Sequence, residues 1–194
     1  MSVVNPSQRQ KIVIVNTGCA NISSVRFALE RLGVEVDVSD DVDVIKSADK
    51  VFLPGVGTAV AAMASIKQKA LVETLQSLTQ PVLGVCLGMQ LMVETSAEGG
   101  FQGTGNIDCL NLMPGHVARM EAKGVRLPHM GWNNIQLINN SYEMRFNQKK
   151  NDYYFVHSYF FDCFDEKNII ASTQYGLDFP SIVGKENIYG VQFH

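Results

Sequence analysis

The sequence predicts an α/β fold, a three-layer domain on a central, mostly parallel sheet. Three observations predict it. Short apolar runs alternate with helical patterns through the first half of the chain. That β-α-β-α order makes neighbouring strands parallel and covers both faces of the sheet with helices. At Pro81 to Met92 (PVLGVCLGMQLM), an apolar strand then runs through a tight, glycine-flanked turn into a helix.

Taken in order, Lys11 to Val15 (KIVIV) reads as a buried strand. Asn21 to Leu32 follows as a helix, with Ile22, Val25, Ala28, Leu29 and Leu32 on one face and Gly33 as its stop. Glu35 to Val38 and Lys50 to Leu53 are the next strands, and Ala59 to Thr79 is a helix in two pieces. Pro81 to Val85 is the fourth strand, and Gly88 to Thr95 the helix after it. Gly99 to Gly105 reads as a loop. From Ile107 onward the segments are short, β-branched and aromatic: Tyr153 to Val156, Ile169 to Thr173, Ser181 to Val183 and Ile188 to Phe193. These are expected to be antiparallel or mixed strands extending one edge of the sheet. No repeat, low-complexity tract or linker interrupts the chain, so residues 1–194 are expected to form one domain.

With 194 residues, 46% of them hydrophobic, the chain is long enough for a substantial core. The net charge of −3 lacks the clustered basic face of a nucleic-acid binder. The longest apolar stretch, Val51 to Ile66, is interrupted by Pro54, Gly55 and Gly57 and is too short to span a bilayer. The opening MSVVNPSQRQ lacks the apolar middle of a signal peptide, and a cytosolic location is expected. Cys19, Cys86, Cys109 and Cys163 form no C-x-x-C pair, so a zinc knuckle is not expected; no metal or organic cofactor is implied. All four are expected to be free thiols.

Chemistry concentrates at Gly84-Val85-Cys86-Leu87-Gly88, a nucleophile elbow with cysteine in the place of serine. So tight a turn excludes bulky neighbours and lifts the sulfur above the carboxyl end of the sheet. Helix position favours the thiolate, and the Leu87 N–H is free for a developing oxyanion. Pro54-Gly55-Val56-Gly57 ends a neighbouring strand and is placed to offer a second donor, expected to be Val56, while Gly57 opens the approach to the main chain. Attack on an amide also requires a group that protonates the leaving nitrogen, commonly His. His116 follows Pro-Gly and reads as a surface turn; His129, His157 and His194 remain equivalent candidates on these grounds.

GVCLG (84–88) together with GVQFH (190–194) resembles the class I glutamine amidotransferase signature. PGVG (54–57), CLGMQ (86–90), PHMGWN (128–133) and YFVHSY (154–159) are similar, more specifically, to the glutaminases of imidazole glycerol phosphate synthases, over about Ile12 to His194. Asn16 to Asn21 (NTGCAN) resembles that family's first-strand loop, with Ala20 where glycine is usual. The resemblance implies that Cys86 is the nucleophile and His194 its base. It implies that Gln90 and Glu98 bind glutamine, the Glu98 carboxylate pairing with the substrate ammonium. Ser158 and Tyr159 would offer main-chain contacts to the substrate's backbone end. Asn21, Trp132, Asn133 and Tyr154 would face a partner, a (β/α)8-barrel cyclase subunit that uses the ammonia in histidine biosynthesis. Structurally, Gln90 would otherwise cap a helix turn and Glu98 be a solvated loop charge.

The family continues past Q-F-H with a proline, a glutamate that orients the histidine, and a closing helix. This chain ends at His194, which implies a C-terminally truncated domain without that acid and helix, and weakened turnover. Two other classes fit the elbow: a stand-alone γ-glutamyl hydrolase and a catalytically impaired scaffold or regulatory homologue.

Overall fold

The computed structural model describes residues 10–99, 105–121, 123–138 and 152–194. Positions 100–104 of the expected Gly99 to Gly105 loop lie outside the described residues.

The first half follows the predicted alternation. Strands β1 (Ile12–Val15), β2 (Val36–Ser39), β3 (Lys50–Gly55) and β4 (Val82–Cys86) alternate with helices α1 (Ile22–Arg31), α2 (Val42–Lys46), α3 (Ala59–Gln68) and α4 (Val72–Gln76). Asn21, Asp41 and Thr58 cap the first three helices by accepting main-chain N–H groups. The two-piece reading of 59–79 is correct: Ala70, at φ +54°, turns the chain between α3 and α4.

The helix expected from Gly88 to Thr95 is a single turn, α5 (Leu87–Gln90), followed by β5 (Thr95–Ser96). Tertiary hydrogen bonds replace helical ones here. The carbonyls of Leu91, Met92 and Val93 accept the main-chain N–H groups of Leu110, Leu112 and Asn111. Then come β6 (Ile107–Asp108), β7 (Gly115–Arg119), β8 (His129–Asn134), β9 (Gln136–Leu137), β10 (Asp152–His157), β11 (Tyr159–Cys163), β12 (Ile169–Gln174), β13 (Asp178–Lys185) and β14 (Ile188–Val191).

The main sheet runs β2-β1-β3-β4-β14-β13-β12-β9; pairings from β2 through β14 are parallel and the remaining three antiparallel. The expectation that the whole second half extends this edge is corrected. β10 and β8 pair separately, and β11-β7-β5-β6 form a four-stranded sheet of their own. His116 accordingly sits in β7 and not in a surface turn, its Nδ1 2.8 Å from Thr95 Oγ1.

Two apolar clusters hold these layers. One gathers Val13, Leu53, Ile66, Leu75, Met89 and Phe161; the other gathers Met120, Phe155, Ile170, Phe179 and Ile182. The register places Gly55 beside Cys86 and Val85 beside Val191, so the carboxyl ends of β3, β4 and β14 share one rim.

Glycine is required where α5 meets β3. A Cβ on Gly88 would collide with the Leu53 carbonyl oxygen, and one on Gly55 would lie 2.8 Å from the Gly88 nitrogen. Because those neighbours are backbone in a paired strand, Gly88→Ala is expected to destabilise the protein by about 3 kcal/mol in urea unfolding.

Candidate active site

Cys86 ends β4 and caps α5 at φ +53° and ψ −113°. A residue other than glycine in such a conformation costs on the order of 1–3 kcal/mol and persists only when its surroundings enforce it. Here the enforcement is the close approach of α5 to β3, together with Gly84, where a Cβ would meet Met92 Cε at 2.7 Å and the Gly88 main chain at 2.8 Å.

The elbow opens into a cavity of about 260 Å³. All nine residues expected to act as catalyst, oxyanion donor or substrate contact line it: Cys86, His194, Val56, Leu87, Gly57, Gln90, Glu98, Ser158 and Tyr159. Val156 and His157 complete the wall. An adjoining cavity of about 310 Å³ is lined by Asn21 and Tyr154, and by Val56 and His194, which face both. Trp132 and Asn133 lie on β8, outside the two cavities. Trp132 is 73% exposed and packs edge-on against Tyr154, their ring centroids 5.6 Å apart.

The expected depression of the Cys86 thiol is corrected. Burial pushes it up to about 11; the Leu87 main-chain hydrogen bond lowers it, and the Glu98 charge raises it further. One turn of helix carries too few aligned peptides to offset that burial. Cys86 therefore rests as a thiol at neutral pH, and such a thiol acts as a nucleophile only with the help of a base. Burial also lowers the His194 imidazole below its usual value, leaving it neutral and able to accept a proton. Its main-chain N–H is anchored on the Tyr154 carbonyl at 2.9 Å.

The two N–H groups expected as oxyanion donors do not both face the cavity. The Val56 N–H, expected to face the site, donates to the Cys19 carbonyl at 2.9 Å. Only a turn of that peptide would bring the N–H to the cavity, and the neighbouring Gly57 stands at φ +90° with open space where a Cβ would be. Glu98 is not a free loop charge: its Oε2 accepts the Ala59 N–H at the start of α3 at 3.0 Å. Burial raises its carboxyl above the usual range, and the Ala59 hydrogen bond opposes this.

At 158 and 159, where main-chain contacts to substrate are expected, the carbonyls are already engaged within the protein. The Ser158 carbonyl accepts the Met120 N–H at 2.9 Å. The Tyr159 carbonyl accepts both Gln90 Nε2 at 2.9 Å and His157 Nδ1 at 2.8 Å, which occupies its two lone pairs. Gln90 Nε2 also donates to Gln192 Oε1 at 2.8 Å, and Gln192 Nε2 lies 3.7 Å from Cys86 Sγ. His157 Nε2 lies 3.2 Å from His129 Nδ1, and His129 Nε2 lies 3.3 Å from Asn133 Nδ2. Sequence reasoning missed Gln192 and the His129–His157 pair. Both stood inside quoted motifs, GVQFH, PHMGWN and YFVHSY, but only a shared contact makes them part of the site.

A cysteine held at positive φ at the carboxyl end of a parallel strand, with a histidine brought to the same cavity by the next strand, defines an amidotransferase-type thiol site. Residues 13–194 match the family glutamine amidotransferase class-I. Among solved structures, a glutamine amidotransferase superposes with a TM-score of 0.68 at 15% identity, covering 94% of this chain and 89% of that one. A glutamine amidotransferase from Thermotoga maritima gives 0.66 at 15% identity, covering 96% and 76%. The imidazole glycerol phosphate synthase subunit HisH of Haemophilus influenzae is 48% identical over 183 residues, 94% of this chain and 88% of its own. That of Colwellia psychrerythraea is 50% identical over 193 residues, 95% and 85%. The chain belongs to this HisH family within the class I glutamine amidotransferases.

The buried histidine pair sets a pH dependence. Burial lowers His157 to about 4, so the unfolded chain binds the proton more tightly between roughly pH 6.5 and 4. Stability is therefore full above about pH 6.5 and falls as pH drops toward 4, by up to about 3 kcal/mol from this residue. Urea unfolding across that range should show the decline, and His157→Gln should flatten it.

Proposed function

We propose that this chain hydrolyses glutamine to glutamate and ammonia through a γ-glutamyl thioester on Cys86. The ammonia passes to a (β/α)8-barrel cyclase subunit that makes imidazole glycerol phosphate. The observation that carries the reading is the convergence of the Cys86 elbow, His194 and Glu98 on one cavity. Relatives half identical over nearly the whole chain support the pathway.

His194 takes the Cys86 proton as sulfur attacks the carboxamide carbon. The oxyanion is held by the Leu87 N–H and, once its peptide has turned, by the Val56 N–H. His194 returns the proton to nitrogen, the C–N bond breaks and ammonia leaves. Water then opens the thioester, releasing glutamate and restoring the thiol. Glu98 Oε2 is tied to α3, which fixes the carboxylate that meets the substrate ammonium. Gln90 lines the same wall, and its two donors are already engaged inside the protein. The Val56 N–H on Cys19 supports a turnover that rises when a partner resets the loop, against a stand-alone hydrolase. Exposed Trp132, with Tyr154 beside it, Asn133 next along β8 and Asn21 lining the cavity that Tyr154 also lines, forms the proposed docking face.

Ammonia release measured with and without the cyclase tests the reading; equal rates would favour the stand-alone hydrolase. Cys86→Ser is expected to lower release by at least about three orders of magnitude. Glu98→Gln should raise KM roughly ten- to a hundredfold, the size of one charge-assisted contact. Trp132→Ala should weaken cyclase binding by at least ~1 kcal/mol, measured calorimetrically.

A further inference from the structure

Gln192 is fully buried, and its main-chain N–H is fixed on the Ser181 carbonyl at 3.0 Å. Which end of its carboxamide faces Cys86 is set by a chain of bonds that begins at a group with no ambiguity. The Tyr159 carbonyl can only accept. The Gln90 group 2.9 Å from it is therefore the nitrogen, and the same nitrogen donates to Gln192 at 2.8 Å. Gln192 must present its oxygen there, so its N–H group is the end that faces Cys86 Sγ, at 3.7 Å. We propose that Gln192 is a further catalytic residue: its side-chain amide, locked by Gln90 and the Tyr159 carbonyl, donates to the Cys86 sulfur and stabilises it as thiolate when His194 removes the proton.

The inference rests on Cys86 being the nucleophile. The physical need is plain, because burial raises this thiol and the nearby Glu98 charge raises it further. A fixed donor favours the charged form of the sulfur and costs no reorganisation when the proton leaves.

The test is the pH dependence of Cys86 alkylation by iodoacetamide in the chain of residues 1–194. The modified peptide is quantified by mass spectrometry, with Cys19 as internal reference. Gln192→Met keeps the volume and removes the donor; Gln192→Glu keeps the acceptor for Gln90 and places a carboxylate at the sulfur. Both are expected to raise the alkylation midpoint by at least about one pH unit, which lowers labelling at pH 8 about tenfold. Circular dichroism establishes that each variant is folded. A folded Gln192→Met, or a folded Gln192→Glu should Gln192→Met not fold, with an unchanged midpoint overturns the proposal and leaves the nucleophile assignment standing. If neither variant folds, the amide serves the fold and the proposal falls. Absence of labelling at Cys86 in the unsubstituted chain overturns the nucleophile assignment and this proposal with it.

Discussion

The contact between Gly88 and the Leu53 carbonyl is the constraint on which the rest of the structure depends. It lets α5 lie directly on β3, with no side chain between two stretches of backbone. Cys86 has to turn through a positive φ to make that approach, and the turn aims its sulfur above the sheet instead of into a core layer. Because the elbow is flanked by paired strands on both sides, the energy stored in the cysteine backbone is held by many weaker contacts at once. The same placement buries the thiol and makes it a poor acid, so a nucleophilic role for Cys86, as proposed, needs a base and donors around the sulfur.

The Tyr159 carbonyl organises the opposite wall. It accepts from Gln90 on one side and from His157 on the other. One branch continues through Gln192 to Cys86, the other through His129 to Asn133 on β8. Since a carbonyl only accepts, the direction of every bond in both branches follows from it, including the neutral tautomers of the two histidines. Ring stacking of His129 on Phe155 and Tyr175 holds the second branch rigid. A network of this kind is stable only when all members are satisfied, which is why its histidines are kept neutral by burial.

Much of the first half was legible in the sequence. Apolar runs such as KIVIV, the helical spacing around Ile22 and Leu29, and the glycines of the elbow are local signals, each spanning about one element. Among the residues lining the cavity, Val56, Gly57, Cys86 and Leu87 were legible from the elbow and the strand-end glycines, whereas His194, Gln90, Glu98, Ser158 and Tyr159 were legible only through the family resemblance. The helix after the elbow was misread because Leu91 to Val93 look helical locally, yet their carbonyls bond to the 110–112 segment. His116 was misread because Pro-Gly marks a turn, while pairing with Tyr159–Cys163 drew the following residues into a strand.

The sequence by itself determined the parallel half of the sheet and the elbow, which follow from periodicity and from glycines at positions where no other residue fits. Which other side chains join Cys86 at the cavity was implied by the resemblance of its motifs to a family, not by pattern alone. Only the tertiary structure decided the state of those groups. Whether Cys86 is thiol or thiolate depends on burial, which sums over residues far apart in the chain. Val56 points its N–H at Cys19, and Gln192 reaches the sulfur through Gln90, across a separation of 102 residues. Donor direction and desolvation are properties of a packed neighbourhood, and no window of sequence contains one.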